Sequence, residues 1–147
     1  MKLTVKLDFG GRLHMASAAG LLHADFRIPG DEYALLFRLT DALTRDHSAK
    51  LELFRRTCLN VVGHNRDDHL KNFSFLMDAN GRWTLAPFYD FTRADGPNGW
   101  QTLSVAGEGA NPGVEDLRRL AREVGLGDGE SEPILECVVE SCRSLAD

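Results

Sequence analysis

Apolar and polar positions alternate at the start of the chain. Leu3, Val5 and Leu7 fall between Lys2, Thr4 and Lys6, and this period of two predicts a short strand over residues 1–8. Gly10-Gly11 breaks it. Ser17 is placed to cap a short helix reaching Leu22, and residues 25–30, with Pro29, read as a connector. Asp31 then stands as a cap before Tyr33, Leu36, Phe37, Leu39 and Leu43, which recur at helical spacing. Over residues 50–62 the pattern continues with Leu51, Leu53, Phe54, Cys58, Leu59 and Val62. This denser apolar content predicts the central buried helix, with Gly63 as its stop.

A polar run follows, and then the period changes. Residues 73–77 and 83–86 read as two strands joined by Asp78-Ala-Asn80-Gly81, which carries turn chemistry. A hairpin brings its second strand back beside the start of the first, so Asp90 is expected to return near Asn72. Residues 93–112 are rich in Gly, Asn and Pro. They predict a long functional or flexible loop, ordered only around residues 100–105. A helix is expected over residues 115–124, capped at Asn111 or Gly113. After a break at 125–129, a last amphipathic helix covers 132–145, with Pro133 in its first turn. The pattern predicts one domain over residues 1–147, mainly α with a small β-hairpin.

Composition narrows the function classes. The 147 residues suit one ordinary domain, and 43% hydrophobic with 27% charged residues is a globular balance. A net charge of -5 opposes direct nucleic-acid binding, which needs a basic surface. Arg118, Arg119 and Arg122 read as the solvated face of a helix. Cys58, Cys137 and Cys142 are odd in number and widely spaced, which opposes a disulfide framework or a zinc site. Cys58 falls on the apolar side of its helix and is expected in the core. No stretch has the length of a membrane span or the form of a signal peptide, so a reducing, cytoplasmic setting is expected.

The chemistry concentrates in Gly63-His-Asn-Arg-Asp67-Asp68-His69-Leu-Lys71-Asn72-Phe-Ser and in Phe88-Tyr89-Asp90-Phe91. An acid, a lysine and an amide lie within six residues, and a second acid follows an apolar segment. Phosphoryl transfer uses such a set: one Asp accepts the proton of the attacking hydroxyl, and an Asn and a later Asp hold Mg²⁺ against the nucleotide phosphates. Each residue also has a plainer reading. Asp67 could belong to a polar loop that ends a helix, Asn72 could cap a turn, and Asp90 could be a turn aspartate at a strand end. Lys71 could neutralise a phosphoryl group or simply be exposed. His69 suits a structural hydrogen bond. Asp68 is expected to be exposed or to sit behind the reacting groups.

Taken together, Asp67-x-His69-x-Lys71-Asn72-Phe-Ser, the hairpin and Leu85-Ala-Pro-Phe-Tyr89-Asp90 resemble the catalytic half of HipA-type serine/threonine kinases, the toxins of bacterial toxin–antitoxin pairs. Arg12-Leu-His14-Met-Ala-Ser17 and Asp31-Glu-Tyr33 share the resemblance. It implies the helical C-terminal lobe of a protein-kinase-like fold. By position, Asp67 would be the catalytic base, with His69 and Lys71 as supporting loop residues. Asn72 and Asp90 would be the Mg²⁺ ligands. Val5, Lys6, Leu7 and Asp8 would match the segment between lobes that holds the adenine of ATP. The resemblance further implies a protein substrate, of the aminoacyl-tRNA synthetase class, and a helix-turn-helix antitoxin as partner.

The chain departs from that family in two ways. Its hinge-like strand reads Val5-Lys-Leu-Asp-Phe where Arg-Phe-Asp-Arg is the family pattern. No Gly-rich phosphate loop or strand lysine precedes it, so the N-terminal lobe is expected to be absent. Phosphoryl transfer depends on positioning and electrostatics. The isolated lobe is therefore expected to be inactive or very weak without a complementary N-lobe subunit. The uncovered cleft would favour a partner or self-association. The alternatives are an inactive module that docks the antitoxin, or a truncated remnant.

Overall fold

The computed structural model describes residues 3–6, 12–22 and 32–145. Four antiparallel strands form one sheet in the order β1 (Leu3–Lys6), β2 (Arg12–Ser17), β3 (Ser74–Met77) and β4 (Trp83–Leu85). Among the described residues the helices are α1 (Ala18–Leu22), α2 (Tyr33–Thr44), α3 (His47–Val62), α4 (Val114–Glu123) and α5 (Asp128–Ser144). The long helix α3 packs against α2, α4 and α5. Leu36, Phe37, Leu53, Phe54, Cys58, Leu117, Leu120 and Leu135 close a core between them. Burying each large side chain contributes about 1.5–3 kcal/mol.

The helix ends follow local chemistry. Asp46 caps α3 by accepting from the Ser48 amide at 2.9 Å, and Gly63 closes its other end. At α4 the Asp116 carboxylate accepts from the Gly113 amide at 2.8 Å, while the Gly113 carbonyl accepts from the Asp116 and Leu117 amides. Gly113 is thus the cap, not Asn111. Ser17 acts as expected, its hydroxyl accepting from the Gly20 amide at 3.2 Å.

Several expectations change. The predicted hairpin is half of a larger sheet: Arg12–Ser17 is a strand between β1 and β3, pairing His14 with Met77 and Ser17 with Ser74. Helix α5 starts at Asp128, so Pro133 lies in its second turn rather than its first. The N-cap position of α2 is Glu32, without a side-chain bond. Gly10-Gly11, the 25–30 connector and the Asp31 cap lie outside the described residues.

The 93–112 stretch is a long loop whose ordered part falls within residues 100–105, as expected: Gln101, Leu103 and Val105 turn into the core and are buried. Its only helical turn is Pro97–Gly99. Backbone bonds bind it to the polar loop after α3 (Arg66 amide to Ala94 carbonyl, Thr102 amide to Arg66 carbonyl, both 3.0 Å) and to the start of α2 (Tyr33 amide to Ser104 carbonyl, 3.1 Å).

Candidate active site

The polar loop runs from the end of α3 to β3, and its residues divide by burial. Asn65, Asp68 and Leu70 are buried, whereas Asp67 and Lys71 are exposed and His69 is half-buried. A short 3-10 turn, Leu70–Asn72, ends the loop. The loop thus offers Asp67 to solvent while gripping the core on either side of it. Asp67 and His69 lie close, with His69 Nε2 4.0 Å from Asp67 Oδ1. That spacing allows electrostatic support but exceeds a hydrogen bond.

Asp68 has no solvent exposure. Its Oδ2 accepts from the Tyr33 hydroxyl and from Gln101 Nε2 at 2.7 Å, and its Oδ1 accepts from the Leu103 amide at 3.3 Å. Asn60 Nδ2 donates to the Tyr33 hydroxyl at 3.0 Å, and Asn65 Nδ2 donates to Asn60 Oδ1 at 2.9 Å. Burial raises the pKa of Asp68, opposed by the hydrogen bonds from Tyr33 and Gln101. Burial, and then the neighbouring Asp68 charge, pushes the Tyr33 phenol well above its ordinary value. Asn65 Oδ1 is buried without a hydrogen-bond partner at the end of this network. Of the exposed and the inner position that its sequence allows, Asp68 takes the inner one. The only sequence signal for Asp68 was its place beside Asp67. Its partners Tyr33, Asn60 and Gln101 lie too far along the chain for spacing to reveal.

Asn72 and Asp90 belong to this loop by different routes. Asn72 Nδ2 donates to the Asp67 carbonyl at 3.0 Å, closing the loop on itself. With the amide nitrogen so engaged, its Oδ1 is the end left for a cation. The segment after β4 returns as the hairpin argument requires. Tyr89 donates its hydroxyl to the Lys71 carbonyl at 2.7 Å, and the same hydroxyl lies 2.6 Å from Ser74 Oγ. Asp90 follows directly, exposed and at φ 58°, a left-handed conformation that Asp tolerates better than most residues. Arg56 of α3 supports this segment, donating to the Ala86 carbonyl at 2.8 Å and stacking 5.6 Å over the Phe88 ring.

Asp67, His69, Lys71 and Asn72 therefore lie in the loop that leads into β3, and the Tyr89 hydroxyl ties the segment bearing Asp90 to that loop. Val5 and Lys6 lie on β1, opposite Leu13 and Arg12, and β2 separates them from β3. Leu7 and Asp8 are outside the described residues. An amide oxygen and a carboxylate are hard oxygen donors and suit Mg²⁺, which keeps water and substrate phosphates as its remaining ligands. Among the described residues no group of three or more His, Cys, Asp and Glu side chains is placed to hold a metal. Among the described residues, too, no helix is long and apolar enough to cross a membrane.

Comparison with known proteins adds to this geometry. The family model of the HipA-like C-terminal domain matches residues 3–146. A curated Haemophilus influenzae protein named "Putative kinase" is 37% identical over 83 residues, covering 56% of this chain and 22% of that protein. A chain in the solved complex of the Shewanella oneidensis MR-1 toxin–antitoxin system HipA, HipB and its operator DNA superposes with a TM-score of 0.74 at 18% identity. That match covers 96% of this chain and 38% of the other. This chain therefore spans only a minor part of the length of either protein.

Proposed function

This chain belongs to the HipA-like C-terminal domain family, and on that basis we propose that it forms the catalytic lobe of a protein serine/threonine kinase that uses ATP and Mg²⁺. The observation that carries the reading is the double tie at the end of β3. Asn72 is bonded to the Asp67 carbonyl and Tyr89 to the Lys71 carbonyl, which joins the two acidic segments that the chemistry needs.

In this reading the exposed Asp67 accepts the proton of a serine or threonine hydroxyl. As that oxygen bonds to the γ-phosphorus, the bond from phosphorus to the β–γ bridging oxygen breaks and ADP leaves. Asn72 Oδ1 and the Asp90 carboxylate would hold Mg²⁺, which when bound neutralises charge on the phosphate oxygens. Lys71 offers a further positive charge beside them. His69, 4.0 Å from Asp67, stands beside the base as a supporting loop residue. Val5, Lys6, Leu7 and Asp8 would border the adenine. The grip on the phosphates would come from a kinase N-lobe. The implied protein target is of the aminoacyl-tRNA synthetase class.

The test is calorimetry of ATP binding with and without Mg²⁺, on this chain and on Asp90→Ala. The reading expects metal-dependent binding that weakens on the order of 10–100-fold in the variant. Equal affinity in both proteins would overturn the metal site.

A second reading has its own support, because the structural neighbour was solved with HipB and its operator DNA. The chain would then act as a docking lobe for a helix-turn-helix antitoxin, with any link to DNA made through that partner. Co-purification with such an antitoxin, together with no Mg²⁺-dependent nucleotide binding, would favour it.

A further inference from the structure

The residues on either side of Asp67 both reach into the segment that follows Asp90. The Arg66 guanidinium donates through Nη1 to the carbonyls of Gly99 and Ala110 (the latter at 3.2 Å), and through Nη2 to Asn111 Oδ1 at 3.0 Å. The Arg66 carbonyl accepts from both the amide and the hydroxyl of Thr102, at 3.0 and 2.8 Å. Asp68 takes the side chain of Gln101 and the amide of Leu103 from the other side. Gly96 packs so closely on Arg66 that an added Cβ would lie 2.7 Å from Arg66 Cβ. The segment from 96 to 111 is thereby fastened at both flanks of one exposed carboxylate.

We propose that Arg66 and Asp68 are positioning residues that clamp the 96–111 segment to the loop carrying Asp67 and so fix the direction of that carboxylate. The placement of Asp67 as a base rests on the kinase reading above; the clamp itself does not. Protein kinases order the stretch after their metal-binding aspartate by pairing arginine with a phosphorylated residue. Here the acceptors of the Arg66 fork are two backbone carbonyls and an asparagine, all built into the chain. A planar guanidinium spans such divergent acceptors, which a lysine ammonium does not. On the other flank Asp68 receives three donors, so it works as an acceptor-only carboxylate, a role that asparagine cannot fill at both oxygens. The clamp therefore needs no phosphate and holds the segment ordered in the unmodified chain.

Hydrogen exchange read by mass spectrometry tests this on the full chain, with its intact mass confirming the absence of phosphate. Peptides covering 93–112 are expected to be protected in the wild type. Exchange there should quicken by roughly tenfold or more in Arg66→Ala and Asp68→Asn, while α3 and α5 stay protected. Arg119→Ala, which removes an exposed ion pair on α4, should leave 93–112 unchanged. If Asp68→Asn does not fold, Arg66→Ala decides the matter. Rapid exchange of 93–112 in the unmodified wild type, or no change in a folded Arg66→Ala, overturns the clamp. A second readout separates positioning from mere stability: the carboxyl carbon resonance of Asp67 in NMR should shift in Arg66→Ala and stay in place in Arg119→Ala. An unmoved Asp67 resonance in a folded Arg66→Ala would sink the positioning role. A wild type that binds no nucleotide would count against the kinase reading alone, leaving the exchange data to judge the clamp.

Discussion

The hydroxyl of Tyr89 lies 2.7 Å from the carbonyl oxygen of Lys71, and this one bond joins the segment bearing Asp90 to the loop bearing Asp67 and Asn72. Ser74 Oγ, 2.6 Å away, holds the hydroxyl from its other side. Removing that hydroxyl in Tyr89→Phe should cost about 1–3 kcal/mol of stability, because both bonds go and the buried Ser74 hydroxyl loses its partner. If the bond also sets the place of Asp90, Mg²⁺-dependent ATP binding should weaken more than this loss explains. Urea unfolding and calorimetry on the same variant separate the two effects.

Arg56 links α3 to the same returning segment. It is almost fully buried, bonded to the Ala86 carbonyl and to Glu52 Oε1 at 2.9 Å, and stacked on Phe88. Arg56→Ala leaves a buried carbonyl without its donor and removes packing from an aromatic face, so a loss of about 1–3 kcal/mol is expected. Arg56→Lys should recover only part of it, since an ammonium cannot both stack and bridge as the fork does. Thermal unfolding of the two variants side by side checks the order.

Gly96 has φ +69°, and a side chain there would meet Arg66 Cβ at 2.7 Å and the Arg66 carbonyl at 2.9 Å. Gly96→Ala should therefore destabilise by about 1–3 kcal/mol through strain and overlap. Gly107→Ala, also at positive φ but with nothing within 4 Å, should cost less. Comparing the two melting curves isolates the steric part.

Cys58 is wholly buried, and burial pushes its thiol from 9.0 up to about 12. The folded state thus keeps a proton that the unfolded state releases first. The stability this contributes is complete below pH 9.0 and disappears as pH rises toward about 12. Its ceiling is about 4 kcal/mol at 1.36 kcal/mol per unit. Denaturant unfolding from pH 8 to 11 should show a decline that is shallower in Cys58→Ala. At pH 8 an alkylating reagent should modify the exposed Cys137 and spare Cys58 until the protein unfolds.

Local chemistry was legible in the sequence wherever a short-range rule decides structure. The helical spacing of Tyr33, Leu36 and Phe37, the turn at residues 78–81 and the stop at Gly63 each depend on residues a few positions apart. The cluster from Asp67 to Asn72 announced its chemistry because its members are contiguous. Strand β2 was missed because its six residues, Arg12–Ser17, acquire their role only by pairing with β3, sixty residues later. The 93–112 stretch looked loose because glycine, asparagine and proline lack periodicity. Its order comes from Arg66, Asp68 and Tyr33, which no pattern within the stretch contains. The sequence by itself determined which groups could do chemistry, since residue type and close spacing are local properties. Only the tertiary structure decided that Asp68 is buried while Asp67 faces water. Burial and hydrogen-bond satisfaction are set by partners that chain folding brings from far apart.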